Sequence, residues 1–196
     1  EAEQNMYREK TLTHKFEGVK QLKYLMGRLL RIPEEKAHAE HTRELAISIG
    51  KTMNLPVNQR KVLEEAAYLH DIGKIPTLLS RNFRDREGYP TRKDHVVIGY
   101  RILNSFEETM DTAKPVLSHH EHYDGSGYPK GLQGEEIPLE ARIIAVAEKF
   151  ERLVSGAFKD PLHPEEAFLQ LMEMSGTVLD PLVLSALRKV LDGWQT

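Results

Sequence analysis

The sequence predicts an all-α fold, and three observations favour it. Apolar residues recur at steps of three and four along most of the chain, which is the spacing of one face of a helix. No segment of convincing length alternates apolar and polar residues as a half-buried strand would. No internal repeat is found. The length of 196 residues fits one domain with a small appendage, so we expect a single helical domain.

The first predicted helix runs from residue 5 to residue 30 and carries one apolar stripe. Two interpretations of this helix are open: it joins an upstream sensor or receiver module and forms a homodimer, or it packs on its own domain. The stripe covers little more than two heptads, which is too short to predict a coiled coil. Pro33 interrupts the pattern. We therefore divide the chain into an N-terminal helix and linker, 1–32, and a main domain, 33–196.

The rest of the chain alternates helical spacing with breaks. Asn58 is placed to cap the third helix, and Pro138 to start a later one. A polar and basic stretch over 80–92 predicts a loop, and a glycine- and proline-rich stretch over 124–138 predicts tight turns. The further helices are expected at 34–53, 58–70, 93–106, 108–120, 139–155, 164–174 and 181–191.

Composition excludes several classes of function. The chain has no cysteine, which excludes disulfides, thiolate catalysis and cysteine-ligated metal sites. A formal net charge of −3 gives no basic field to attract DNA. No apolar run approaches the length of a membrane span, and the charged N-terminus disfavours a signal peptide. We therefore expect a cytoplasmic protein that neither binds DNA nor inserts into a membrane, and, since it begins with Glu1, a fragment or processed form.

The nine histidines matter because of their spacing. A single histidine is more often a surface residue than a ligand, but imidazole and carboxylate together suit Mn, Fe, Ni or Zn. Adjacent helical residues point about 100° apart, so neighbouring ligands make sense at a helix end or where each serves a different metal. The candidate ligand segments are His41, His70-Asp71, His95 and His119-His120.

Two sequence contexts strengthen this interpretation. In the first, His70-Asp71 ends an apolar helix and is followed by Gly73, which permits a sharp exit, and by Lys74. Lys74 either supplies a positive charge where a phosphate oxygen would need it or is an ordinary solvated lysine. The second context runs from His119 to Pro138 and reads H-H-E-H-Y-D-G-S-G-Y-P-K-G-L-Q-G-E-E-I-P.

These motifs resemble the HD-GYP family, a bacterial branch of the HD metal-dependent phosphohydrolases that degrades cyclic di-GMP. The resemblance covers about residues 33–191. It implies an HD-domain helical bundle with a GYP loop and a phosphodiesterase that opens a cyclic dinucleotide to a linear dinucleotide and onward to GMP. It also implies two divalent metal ions, Fe or Mn first and Ni or Zn as compatible alternatives. The residues do not distinguish cyclic di-GMP from cyclic GMP–AMP.

The resemblance assigns the metal ligands one by one. The family segment V-A-D-x-F-D-A-L is Val146 to Leu153 here, so Glu148 stands where the family has its last aspartate ligand. Ala37 stands where some members place a glutamate for a third metal, and two ions are therefore expected. Asp71 would bridge them, and Asp71 and Lys74 would be the catalytic residues. The full ligand set is His41, His70, Asp71, His95, His119, His120 and Glu148.

Substrate binding is assigned to Lys74, Tyr128 and Lys159. Tyr128 either contacts a base or phosphate or simply packs. After Leu153 the family's T-S-D-R-P-Y-R segment is shortened and loses both arginines, so only Lys159 remains and weaker substrate binding is expected. Histidines outside the motifs, His14, His38 and His163, are expected at the surface.

Three functions stay open at this point. The first is an active cyclic-dinucleotide phosphodiesterase. The second, motivated by the altered segment after Leu153, is a catalytically weak metal-binding relative that acts as a nucleotide sensor or protein-interaction module. The third is a metal phosphohydrolase for another nucleotide.

Overall fold

The computed structural model describes residues 20, 22, 24–27, 29–75, 93–156 and 160–194. Residues 24–27 are helical, and short 3-10 turns follow at Ile72–Lys74, Glu107–Thr109 and Gly134–Glu136. The later α-helices are α1 (Pro33–Thr52), α2 (Val57–Leu69), α3 (His95–Leu103), α4 (Met110–Ser118), α5 (Leu139–Val154), α6 (Pro164–Met172) and α7 (Pro181–Asp192).

The all-α prediction is confirmed. The described residues contain no strand, and their one isolated β-bridge joins Ser175 to Leu179. The prediction that Asn58 caps a helix is wrong, because α2 begins at Val57 with Pro56 in the capping position, and Asn58 lies inside the first turn. The predicted loop over 80–92 lies outside the described residues.

Helix α5 occupies the centre of the fold, where it packs against α1, α2, α4, α6 and α7. Its residues 143–147 are all buried, as expected of a stretch of helix that carries only apolar side chains on every side. The same helix then buries two carboxylates, Glu148 and Glu151. Buried acids require partners. These two therefore indicate a polar site beside the core.

The C-terminal part of the first predicted helix packs on its own domain, because Met26 and Leu29 are buried in the same core cluster as α5. The boundary between residues 32 and 33, the upstream module and the homodimer stay predictions. No helix in the described ranges is long and apolar enough to cross a membrane.

Candidate metal centre

Two helix ends place the central histidines. His70 follows α2 and His119 follows α4. Each ring pairs its Nδ1 with the carbonyl oxygen three residues earlier, at 2.8 Å for Ala67 and 2.7 Å for Val116. These carbonyls belong to the last helical turn, where acceptors lack a partner within the helix. With Nδ1–H donating to the carbonyl, the neutral form of each ring carries its lone pair on Nε2, which faces the site.

Asp71 lies between two groups of histidines. Its Oδ2 is 3.2 Å from Nε2 of His70 and 3.6 Å from Nε2 of His38. Its Oδ1 is 3.5 Å from Nε2 of His95 and is buried without a hydrogen-bond partner among the described residues. A buried acceptor without a donor needs another source of positive charge. The carboxylate is therefore suited to bridge two cations.

The ligand atoms form two clusters, each with its atoms within 4.8 Å of one another. The first, called here the aspartate group, is His38, His70 and Asp71, and the second, the three-histidine group, is His95, His119 and His120. Nitrogen and carboxylate oxygen donors of this kind suit first-row divalent metals. With the orphaned Oδ1 of Asp71, the residues present fit a pair of divalent ions.

The structure brings His38, instead of His41, beside the other candidate ligands. The prediction that His38 lies at the surface is wrong: its side chain is 11% exposed, and its Nε2 lies 3.2 Å from Nε2 of His70. His41 is not brought into either group, because its side chain is 61% exposed and its Nδ1 lies 3.8 Å from Glu151. The two histidines stand three residues apart on α1, which separates them by only about 60° around the axis. Their spacing alone could not say which one faces inward.

Glu151 is a site residue that sequence reasoning missed. Its buried carboxylate pairs with Nδ1 of His38, whose Nε2 faces His70. A carboxylate on the far nitrogen fixes the orientation of a ligating histidine and raises its basicity. A signal was available, because the family segment quoted above also has a carboxylate at this position.

Glu148 is buried as expected of a site residue, but it is held by an arginine. Nε and Nη2 of Arg152 donate to Oε1 of Glu148 at 2.8 and 2.7 Å. Nη2 of Arg152 also lies 3.8 Å from Oδ2 of Asp71. The assignment of Glu148 as a metal ligand stays a prediction.

The predicted substrate-binding residues differ in their positions. Nζ of Lys74 contacts Oδ2 of Asp71 and lies 3.5 Å from Glu35. The Tyr128 ring stacks on His120 with centroids 5.1 Å apart, and Nζ of Lys93 lies 5.3 Å from its centroid. Lys159 lies outside the described residues.

The GYP loop, which is the glycine- and proline-rich stretch over 124–138, is fixed against the centre by contacts of its backbone. The buried carboxylate of Glu121 accepts hydrogen bonds from the backbone N–H groups of Lys130 and Leu132, at 2.7 and 3.1 Å. Gly127 is required for close approach, since a Cβ there would lie 2.2 Å from the backbone nitrogen of His122. The loop thereby holds Tyr128 over His120.

The electrostatics of the three-histidine group favour neutral rings. Burial, followed by the charge of His120, holds the pKa of His119 well below its usual range. Burial likewise lowers the pKa of His120 to about 4. Neutral imidazole is the form that binds metals. These two rings are therefore ready to act as ligands at neutral pH.

The aspartate group behaves differently. Burial opposes a charge on His70, but the charge and hydrogen bond of Asp71 outweigh it and raise the pKa of His70. Burial also opposes ionisation of Asp71, yet His70 and then Lys74 hold its pKa well below the usual range. The pKa of Glu148 is lowered against burial by the neighbouring histidines and Arg152. Both carboxylates are therefore ionised at neutral pH.

Comparison with known proteins agrees with this arrangement. A family model described as HD domain matches residues 27–183. A cyclic di-GMP phosphodiesterase of Thermotoga maritima is 37% identical over 164 residues, which cover 80% of this chain and 45% of that protein. The cyclic di-GMP phosphodiesterase response regulator RpfG of Xanthomonas campestris is 37% identical over 158 residues, or 77% of this chain and 42% of its own length.

A solved structure supports the fold. The crystal structure of a cyclic GMP-AMP specific phosphodiesterase of Vibrio cholerae superposes with a TM-score of 0.68 and 18% identity, and the match covers 87% of this chain and 47% of that one. The chain spans less than half the length of the two curated relatives described above. The resemblance seen in the motifs is confirmed at the level of fold and family.

Proposed function

The chain belongs to the HD domain family, and on that premise we propose that it hydrolyses a cyclic dinucleotide, cyclic di-GMP first, with the help of two divalent metal ions. The observation that carries the proposal is the position of Asp71, with one carboxylate oxygen toward each ligand group. The curated relatives named as cyclic di-GMP phosphodiesterases support the choice of substrate.

The two ligand groups would each hold one ion. His38, His70 and Oδ2 of Asp71 would hold one, and the three-histidine group with Oδ1 of Asp71 would hold the other. When bound, a pair of divalent ions supplies Lewis acidity for hydrolysis of a phosphodiester. Nitrogen and oxygen donors suit Fe or Mn, and Ni or Zn are compatible with the same set.

Residues of the chain supply the rest of the chemistry. Glu151 orients His38, and Ala67 and Val116 orient His70 and His119 through their carbonyl groups. The charge of Lys74 lies next to Asp71, where it can stabilise the negative charge that develops on phosphoryl oxygens. A substrate base or sugar can contact the exposed part of Tyr128, whose ring is already fixed on His120.

A substrate panel tests the proposal. The purified chain, loaded with Mn²⁺ or anaerobically with Fe²⁺, is incubated with cyclic di-GMP, cyclic GMP–AMP and cyclic di-AMP, and the products are separated by chromatography. We expect cyclic di-GMP to give a linear dinucleotide and then GMP, and the Asp71→Asn variant to give neither. Faster hydrolysis of another cyclic dinucleotide would make that compound, instead of cyclic di-GMP, the proposed substrate. No hydrolysis of any of them by the metal-loaded chain would contradict the proposal and favour a nucleotide sensor.

A further inference from the structure

An arginine lies among the predicted metal ligands. The Arg152 side chain is 22% exposed and projects from α5 one turn after Glu148. Two of its nitrogens donate to Oε1 of Glu148, and one of these lies 3.8 Å from Oδ2 of Asp71. In the family segment quoted above, the corresponding residue is alanine. The guanidinium is therefore a feature of this chain placed directly at the carboxylates.

Positive charge is concentrated on one side of Asp71. Lys74 and Arg152 both face Oδ2, the oxygen that belongs to the aspartate group. Oδ1 faces His95 and has no hydrogen-bond partner in the described part of the chain. On the Oδ2 side, Asp71 and Glu148 thus already have fixed cations against them, with Glu35 and Glu151 as further carboxylates, whereas Oδ1 has no lysine or arginine against it among the residues that the structure describes.

Arg152 cannot lose its positive charge when a metal ion binds nearby, since a guanidinium stays protonated at all accessible pH values. A divalent ion held by His38, His70 and Oδ2 of Asp71 would stand close to this fixed charge. The surroundings are largely buried, where repulsion between like charges is weakly screened. Ion binding there must displace the guanidinium from Glu148 and Asp71 or tolerate the repulsion.

We propose that Arg152 is a resident cation that competes with a metal ion at the aspartate group, so that the chain loads its two ions unequally. The three-histidine group fills first and tightly, and the aspartate group fills at higher metal concentration. This inference rests on the proposed metal centre, but it does not depend on hydrolysis of any substrate.

Calorimetric titration of the metal-free chain with Mn²⁺ tests the proposal. We expect two binding steps in the wild-type chain that differ in affinity by about tenfold or more. Arg152→Gln keeps a hydrogen-bond donor for Glu148 and removes the charge, so its weaker step should tighten by about tenfold or more. Arg152→Lys keeps the charge and should behave like the wild type. Lys149→Gln is the matched control on the same helix, with its charge near His122, and should leave both steps unchanged.

Several results would overturn the proposal. Two equal steps in the wild-type chain would do so, and this measurement needs no variant to fold. So would unchanged or weaker metal binding in Arg152→Gln, with folding verified by circular dichroism. An equal gain in Lys149→Gln would assign the effect to overall charge instead of to Arg152. A chain that loads its ions as proposed but hydrolyses nothing would contradict the proposed function and leave this inference standing.

Discussion

Among single residues, the choice between His38 and His41 determines how the centre is built. His38 is joined on one side to Glu151 and on the other to His70, so its ring is oriented from both ends. His41 shares the same helix face closely enough to reach Glu151 at 3.8 Å, but its side chain is mostly exposed. A histidine that binds a metal must have its ring held in one orientation as well as placed near the metal. The geometry therefore favours His38.

Paired substitutions separate the two histidines. We expect His38→Ala to lose metal from the aspartate group and to reduce turnover of cyclic di-GMP by about 100-fold or more, the scale of effect seen when a ligand or its orienting partner is lost. His41→Ala should keep both its metal content and most of its rate. Metal per chain is measured by mass spectrometry after gel filtration, and rates by chromatography. The reverse pattern would restore His41 as the ligand.

Lys74 offers a second test at the level of one side chain. The ammonium of Lys74 lies against Asp71, and a protonated amine has no lone pair with which to bind a metal. Lys74→Ala should therefore keep the metals while turnover falls by about 100-fold, the typical cost of losing one preorganised charge donor. Lys36→Ala, which removes an exposed lysine paired with Glu40 at 3.9 Å, is the control and should be unaffected. Metal loss in parallel with activity would mean that Lys74 serves Asp71 instead of the substrate.

At the level of secondary structure, the centre depends on where helices end. The turn after α2 carries Asp71 and packs directly on the start of α3, which carries His95. Gly73 allows this contact: a Cβ there would lie 1.9 Å from the carbonyl oxygen of His95. The sequence suggested that Gly73 serves a sharp helix exit, but the structure shows that its value is close approach between the two ligand-bearing segments.

Gly73→Ala should therefore destabilise the fold and disturb the centre together. We expect the free energy of unfolding to fall by about 1–3 kcal/mol, the usual cost of overpacking, with reduced metal binding. Gly27→Ala is the control, since a Cβ there meets nothing within 4 Å in a helical segment, and it should be neutral or stabilising by up to about 1 kcal/mol. Urea denaturation measures both. A Gly73→Ala chain as stable as the wild type would show that the two segments move apart at little cost.

For the whole molecule, the buried histidines make stability depend on pH when metal is absent. The pKa of His119 is lowered, and that of His120 falls from 6.5 to about 4, so the unfolded chain binds more protons than the folded chain across that window. The free energy of unfolding therefore rises with pH through it. The raised pKa of His70 opposes this trend, whereas the lowered pKa of His122 adds to it.

We thus expect the metal-free chain to be less stable at pH 5 than at pH 7.5, by about 1–3 kcal/mol. Urea denaturation in the presence of a chelator measures the difference. The His120→Asn variant removes one of the histidines whose pKa is lowered and should show a shallower dependence of stability on pH. A profile that is flat, or that falls toward pH 7.5, would mean that His70 dominates and that the rings of the three-histidine group are not held neutral.

The features of the fold and site that the sequence could predict follow from periodicity and from motif spacing. The bounds of the seven helices from Pro33 onward fall within a few residues of the predictions because the apolar spacing and the prolines are local signals. The placement of His70 and His119 at helix ends follows from the same signals.

What sequence could not predict depends on rotation and distance in three dimensions. His38 and His41 differ by only about 60° around the axis of α1, and the spacing of apolar residues does not show which of the two faces inward. The sequence offered no role for Arg152, and only the fold places its guanidinium near both Glu148 and Asp71. The approach of Arg152 to Asp71 joins residues far apart in the chain, so the sequence does not contain it explicitly.

The central claim is that the chain hydrolyses a cyclic dinucleotide with two divalent ions that Asp71 and the two ligand groups would hold. It is tested most directly by the initial rate of cyclic di-GMP hydrolysis, measured against equivalents of Mn²⁺ added to the metal-free chain. We expect little turnover during the first equivalent and a rate that rises as the second, weaker site fills. A full rate at one equivalent, or no hydrolysis with two ions bound, would contradict it.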